Sequence, residues 1–399
     1  MSYPQGPQGP QQPPPPPWNT QGSNTQGTNA QGTNAQGTPA PWPPQPQLQP
    51  PGAGHGQPPP QRMEHPHPEP RTYPMMLRTW DYRWWKPVVG IVMLAVGMLF
   101  VMPLVLLPVL AVAVALEDGS GSYGAQFAAA LKLDSVTPAS MLYLNLTLAS
   151  LTLVCMFIVR FVHRLRPRWL SSVLPGMRWK FFFICFGLAL LALIASVAVS
   201  NFLPSNPNDL SAEPNKLTGT LVATGIVILL TTPLQAIGEE YAFRGYLMQA
   251  FGSLTRSRIV ALVVTSVLFA FAHGAQNFPL FFDRLAFGLM AGLVVILVGG
   301  LEAGIALHIL NNLLAFAVAI FFGDLQGALT VSEVSWWQVP VTIAQNGVFL
   351  VLVLLVARRM GLSSRTTPPL PQTPDQGADQ HAGGPTDWHP AGGVNQPPG

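Results

Sequence analysis

The chain has 399 residues, a formal net charge of +3 and only 9% charged residues, against about 25% in soluble domains. That scarcity excludes an ordinary soluble domain, and without a basic stripe or an aromatic–basic motif the small positive excess excludes a nucleic-acid binder. The two cysteines, Cys155 and Cys185, lie in apolar runs, which excludes a disulfide framework and a cysteine metal site and leaves them as small apolar core residues.

Residues 1–72 are rich in Pro, Gln, Gly, Asn and Thr, with a short imperfect repeat at Asn24-Thr25-Gln26-Gly27, Asn29-Ala30-Gln31-Gly32 and Asn34-Ala35-Gln36-Gly37. This composition cannot bury enough apolar surface to offset chain entropy, so a disordered tail is expected. The same holds for residues 363–399. The run Pro13 to Pro17 reads as part of a flexible tail rather than a recognition segment. No basic-then-apolar start with a small-residue cleavage site opens the chain, so the first spanning helix is expected to direct insertion.

Between the tails, residues 73–362 read as an all-α polytopic transmembrane bundle. Successive apolar runs of roughly 20 residues are each long enough to cross a bilayer. About eight helices are expected, over 87–115, 140–162, 180–203, 217–251, 258–280, 284–300, 303–322 and 338–357. Pro103 and Pro108 are expected to kink the first. Basic residues gather before the first helix (Arg71, Arg78, Arg83, Lys86), around the second connection (Arg160, Arg164, Arg166, Arg168, Arg178, Lys180), at Arg256 and Arg258, and after the last helix (Arg358, Arg359, Arg365). Alternate loops carry Glu117, Asp118, Asp134, Asp209, Glu213, Asp324 and Glu333. The positive-inside rule then places both termini in the cytoplasm of a multi-pass cell-membrane protein, with Trp80, Trp84, Trp85 and Trp179 at one interface and Trp336 and Trp337 at the other.

Three patterns put ionisable groups into this apolar region, where they are costly and usually face a cavity or a partner. The first is Glu239-Glu240-Tyr241-Ala242-Phe243-Arg244. Glu240 and Arg244 are four apart, share a helix face and can pair, leaving Glu239 free. The second is Phe269-Ala270-Phe271-Ala272-His273, the third His308-Ile309-Leu310-Asn311-Asn312; in each the first and last residues share a face. Asn312 can orient the His308 imidazole or bond an oxyanion. With a turn at Gly252–Ser257, Glu239 and His273 each lie roughly 20 Å from it, at one level, while His308 is expected shallower. Taken singly, each pattern has a structural alternative: a core hydrogen bond for a histidine, a plain ion pair for Glu240 and Arg244. Gly288-x-x-x-Gly292 and Gly300-x-x-x-Gly304 read as close helix contacts.

In order and spacing, these motifs resemble the CPBP family of CAAX-protease and bacteriocin-processing intramembrane endopeptidases, also described as type II CAAX endopeptidase-like. The resemblance covers residues 215–322. It implies that Glu239 activates the attacking water, that His273 and His308 bind a metal or polarise the scissile carbonyl, and that Asn312 steadies the oxyanion or the second histidine. Glu240 and Arg244, with Phe269, would hold the helix in place. Glu239, His273 and His308 would form the ligand set of a divalent metal, zinc by their chemistry, with an open fourth place for water; a metal-free glutamate mechanism is the other form. The implied partner is a membrane-associated peptide or protein substrate in the lipid bilayer. Two other functions are carried: a non-catalytic membrane scaffold or maturation factor that keeps the fold, and, ranked last for want of an internal repeat, a proton-coupled transporter.

Overall fold

Long apolar stretches without water have one economical solution for their backbone groups, the helix, and the chain takes it throughout. The computed structural model describes residues 65–117, 121–204 and 214–367. Within them lie α1 (Trp85–Ala115), α2 (Tyr123–Lys132), α3 (Pro138–Phe161), α4 (Trp179–Ser200), α5 (Gly219–Thr255), α6 (Arg258–Ala272), α7 (Phe278–Val298), α8 (Glu302–Phe322), α9 (Leu325–Thr330) and α10 (Gln338–Arg359). All but α2, α6 and α9 are long and apolar enough to cross a membrane, seven helices among the described residues. Helix α5 packs on α3 and α8, α4 on α8 and α10, and α7 on α6 and α10. Cys155 and Cys185 are free and buried in the main apolar core.

The expected helix over 258–280 is shorter, and the next begins earlier. Helix α6 stops at Ala272, with His273 at its C-cap and Gly274 at φ +82°. Asn277 then caps α7, its side chain accepting from the Leu280 N–H at 3.2 Å, with Pro279 in the first turn. Glycine tolerates positive φ and proline cannot continue a preceding helix, so these residues make the break.

The turn expected at Gly252–Ser257 is also narrower. Helix α5 runs to Thr255, and the chain reverses at Arg256 (φ 60°) and Ser257, whose hydroxyl accepts from the Val260 N–H. Gly252 serves a contact instead: a Cβ there would stand 2.2 Å from the Pro74 carbonyl oxygen. The segment before α1 thus lies directly on α5. Tyr73 donates to the Leu170 carbonyl, and Arg78 Nε and the Tyr82 hydroxyl both donate to the Ser253 carbonyl, at 2.9 and 3.0 Å.

Most of the expected disordered tails lies outside the described residues. Their inner ends, 65–72 and 363–367, are folded, which moves both boundaries outward. Thr72 and Arg365 form an antiparallel bridge, the Arg71 N–H donates to the Thr366 hydroxyl at 2.8 Å, and the Thr366 N–H donates to the Arg71 carbonyl at 2.9 Å. Two buried histidines serve this layer. His67 Nε2 lies 2.8 Å from the Met76 carbonyl and its ring stands edge-on to Trp169, while His163 Nε2 lies 3.1 Å from the Tyr246 hydroxyl. Burial lowers both imidazoles from 6.5 to about 4.

An unfolded chain therefore binds protons between pH 6.5 and 4 that the folded one refuses, so stability falls as pH drops through that window. The chain is expected to melt at a lower temperature at pH 5 than at pH 7. In His67→Gln, which keeps a donor for Met76, that loss shrinks; an unchanged pH dependence would show that His67 does not titrate on unfolding.

Candidate active site

Helix α5 presents the two glutamates where it widens. Its backbone is α-helical to Glu240, π-helical from Tyr241 to Leu247, and α-helical again from Met248. Such widened turns often accompany functional positions. Gly238 brings this stretch against α3, since a Cβ there would fall 2.1 Å from the Leu148 carbonyl oxygen. Gly238→Ala must push the two backbones apart, a cost of about 1–3 kcal/mol that a depressed melting temperature should reveal.

Glu240 is fully buried, and its Oε1 accepts from Arg244 Nη1 at 2.8 Å and from His308 Nδ1 at 2.9 Å. The Arg244 guanidinium lies over the Phe269 ring, 4.0 Å from its centroid, and Phe269 in turn stands edge-on to His273 at 4.7 Å and to His308 at 6.0 Å. All three motifs therefore meet through the Phe269 ring. Gly304 on α8 leaves room for the carboxylate, because a Cβ would come within 2.9 Å of Glu240 Oε2. Gly292 likewise admits Leu262 and Met248.

Glu239 points another way. Its Oε1 accepts from Gln235 Nε2 at 2.5 Å, and Gln235 Oε1 accepts from Asn312 Nδ2 at 3.2 Å. Its Oε2 finds no hydrogen bond within the protein and lies 3.5 Å from His308 Nε2. Glu239, His273 and Asn312 line one cavity, and His273, His308 and Asn312 line the adjoining one.

His308 is thus level with Glu239 rather than shallower. Helix α8 begins inside the protein: Glu302, at its first position, is fully buried and takes Arg178 Nε and Nη2 at 2.8 and 2.7 Å. The imidazole is oriented by Glu240, whereas Asn312 turns to Gln235. The motifs did not disclose Gln235, although it sits one helical turn before Glu239, the spacing at which side chains meet. Nor did they disclose Asn145, which lines the same cavity from α3 and donates to Thr231 and Thr232.

The hydrogen bonds settle the tautomers. A carboxylate and a carbonyl only accept, so His308 donates through Nδ1 to Glu240, and His273 donates through Nδ1 to the Phe269 carbonyl at 2.8 Å. In the neutral rings, each Nε2 then carries a lone pair. For His308 that lone pair faces the Glu239 carboxylate at 3.5 Å, and two acceptors so placed call for a shared donor, such as a water, or a cation. The donors are of the kind zinc takes. However, no group of three His, Cys, Asp or Glu side chains that could hold a metal ion occurs among the described residues; Glu239 and His308 come together without a third ligand in place.

Residues 221–314 match the family model described as type II CAAX prenyl endopeptidase Rce1-like. Over these residues the chain is similar to an Rce1-like domain. Every motif residue named above falls within it, and so does Gln235, while the cavities are lined also by residues outside the match, Asn145 and Asn346 among them. An uncharacterized protein of Bacillus subtilis strain 168, YyaK, is 26% identical over 208 residues, covering 49% of this chain and 68% of the relative. No solved structure matches the chain. The matched residues span most of α5, all of α6 and α7 and the first part of α8.

Proposed function

We propose that the chain is an intramembrane endopeptidase that hydrolyses a peptide bond of a membrane-associated substrate, with Glu239 as the base. One observation carries the reading: a buried carboxylate oxygen without a protein partner faces the lone pair of an oriented imidazole, beside a cavity that also holds His273 and Asn312. The match to an Rce1-like endopeptidase model supports the reaction class.

A water between Glu239 Oε2 and His308 Nε2 satisfies both acceptors. In the reaction Glu239 takes one of its protons as the oxygen bonds to the scissile carbonyl carbon. His308 holds the second proton by hydrogen bond, and Glu240 keeps the ring in register from its other nitrogen. Asn312 has one amide hydrogen on Gln235 and one remaining for the developing oxyanion. The proton on Glu239 then passes to the leaving nitrogen as the C–N bond breaks. Gln235 fixes the Glu239 carboxylate so that Oε2, not Oε1, meets the water.

Zinc belongs to the same proposal as a cofactor. Glu239 and His308 would hold it, His273 would have to move to become a third ligand, and the metal would supply a bound water of near-neutral pKa. Elemental analysis of the purified chain, with peptide cleavage before and after chelation, tests it. Stoichiometric zinc whose removal stops cleavage establishes the metal form; full activity in metal-free protein establishes the glutamate form.

The multi-pass topology with both termini in the cytoplasm is part of the proposal, and it counts the shorter apolar helix α6 as an eighth crossing beside the seven long ones. The basic clusters and the exposed Trp84, Trp85 and Trp179 favour it. Cysteine labelling at positions 166 and 333, before and after permeabilisation, is expected to show the first protected and the second accessible from outside.

A further inference from the structure

The connections between the spanning helices gather into two layers. In the first, Thr72 before α1 bridges Arg365 after α10, the Leu301 N–H donates to the Ser171 carbonyl at 2.9 Å, and the Val173 N–H donates to the Gly299 carbonyl at 2.8 Å. The end of α5 joins this layer through the Ser253 carbonyl, which accepts from Arg78 and Tyr82. In the second, Asn277 after α6 donates from its backbone to the Ser332 carbonyl at 2.7 Å and from its side chain to the Val334 carbonyl at 2.8 Å. Gln326 of α9 donates to the Leu133 carbonyl at 2.8 Å, and the Asn215 N–H, ahead of α5, donates to the Phe321 carbonyl at 2.7 Å.

The two layers differ in charge and in packing. The first carries Arg78, Arg83, Arg164, Arg168, Arg256 and Arg358; the second carries Glu117, Asp134, Asp324 and Glu333 against Lys132 and Lys216. The first is closed by apolar side chains, with Tyr73, Met76, Leu77, Leu170 and Val173 all buried. The cavity that holds Gln235 and Glu239 reaches the second. Gln276 of the α6–α7 connection, Ala328 and Leu329 of α9, and Val331 line it. Among the described residues, none from the first layer lines either cavity of the site.

Loose packing of connecting segments would leave such an opening without a purpose. The polar atoms inside argue otherwise. Glu239 Oε2, Gln276 Oε1 and Arg284 Nε are buried and have no partner within the protein, so water must satisfy them. With the first layer packed shut, that water enters through the second.

We propose that the site opens to the extracytoplasmic face and takes its peptide from there. The positive-inside rule makes the basic layer cytoplasmic, which puts the mouth of the cavity on the outside. The substrate is then a peptide of the outer leaflet, or one whose cut segment has already been exported. Chains anchored to the cytoplasmic leaflet are excluded. The proposal rests on the peptidase reading and on the topology given with it.

The test is sided thiol labelling of the full chain in intact cells and in sealed inverted membrane vesicles. The probe is a methanethiosulfonate reagent with a fixed trimethylammonium charge. Gln276→Cys puts a thiol at the rim, Gln235→Cys puts one deep in the cavity, and Arg166→Cys marks the basic face. The unsubstituted chain, whose two cysteines are buried, is the blank. A fixed cation does not cross the hydrocarbon, so the rim and deep thiols are expected to react at least about 10-fold faster from outside intact cells than in inverted vesicles, and the thiol at position 166 the reverse. A quenched fluorescent peptide with an N-terminal acyl chain, read against a Glu239→Gln blank, should be cleaved by intact cells and not by inverted vesicles.

Deep labelling that is faster in inverted vesicles, equal from both faces or absent from both overturns the outward opening. Gln276→Cys carries the same decision if Gln235→Cys fails to fold. Labelling at position 166 from outside overturns the topology and the sidedness with it. Cleavage confined to inverted vesicles overturns the assigned substrate. Failure of even the solubilised chain to cleave any peptide counts against the peptidase reading, while the labelling still decides the opening.

Discussion

Glu239→Gln is expected to lower peptide cleavage by roughly 10²–10⁴-fold in kcat, the usual worth of a positioned general base, while leaving the bundle folded. Glutamine keeps the size of the side chain and can still meet Gln235. What it lacks is the acceptor that faces His308 Nε2, because neither face of its amide can remove a proton from water. Glu239 is not part of the Glu240–Arg244 ion pair, so its charge does not balance Arg244 directly. The measurement is kcat on a cleaved peptide together with a melting temperature for the same preparation. Cleavage at the wild-type rate in Glu239→Gln would remove the proposed base and with it the mechanism.

Its neighbour should behave in the opposite way. Glu240→Gln leaves Arg244 as a fully buried guanidinium whose hydrogen-bonded carboxylate is gone, with only the Phe269 and Phe287 rings against its faces. Breaking one side of a buried ion pair typically costs about 3–5 kcal/mol, since the remaining charge is left uncompensated. In a domain of this size that is a fall of roughly 10 °C or more in melting temperature. Glu240→Gln combined with Arg244→Met removes both charges and should recover most of the loss, with the introduced amide oxygen still accepting from His308 Nδ1. The outcome that would sink this account is a double variant no more stable than the single one. Two adjacent glutamates are thus separable by experiment, one needed for turnover and the other for folding.

The difference between them was partly legible from spacing. Glu240 and Arg244 are four apart, and that pairing forms in the structure although the helix widens just beyond Glu240. The apolar runs announced the helices, and the three motifs announced which polar groups share a face. Each of these depends only on the chain's own periodicity, a local property. Helix ends were less legible. Gly274, Asn277 and Pro279 carry the signals for the break after Ala272, yet the apolar residues on either side allowed one longer helix to be expected. Gly252 looked like a turn former and proved to be a place where another segment lies against the backbone.

What one helix offers another could not be read from any single helix. That His308 turns to Glu240, and Asn312 to Gln235, follows from the rotation of α8 against α5, and the small side of Gly304 permits it. That His308 stands level with Glu239 follows from α8 starting below the surface, where Arg178 from a distant connection neutralises Glu302. That residues 65–72 fold follows from a pairing with Arg365 and Thr366, almost the whole described chain away. The sequence by itself determined the helical spans, the Glu240–Arg244 pair and the chemical identity of the groups placed in the membrane. Only the tertiary structure decided which of them meet, because contacts between helices depend on tilt, rotation and depth, and those are set by the summed packing of all the neighbours rather than by any local run of residues.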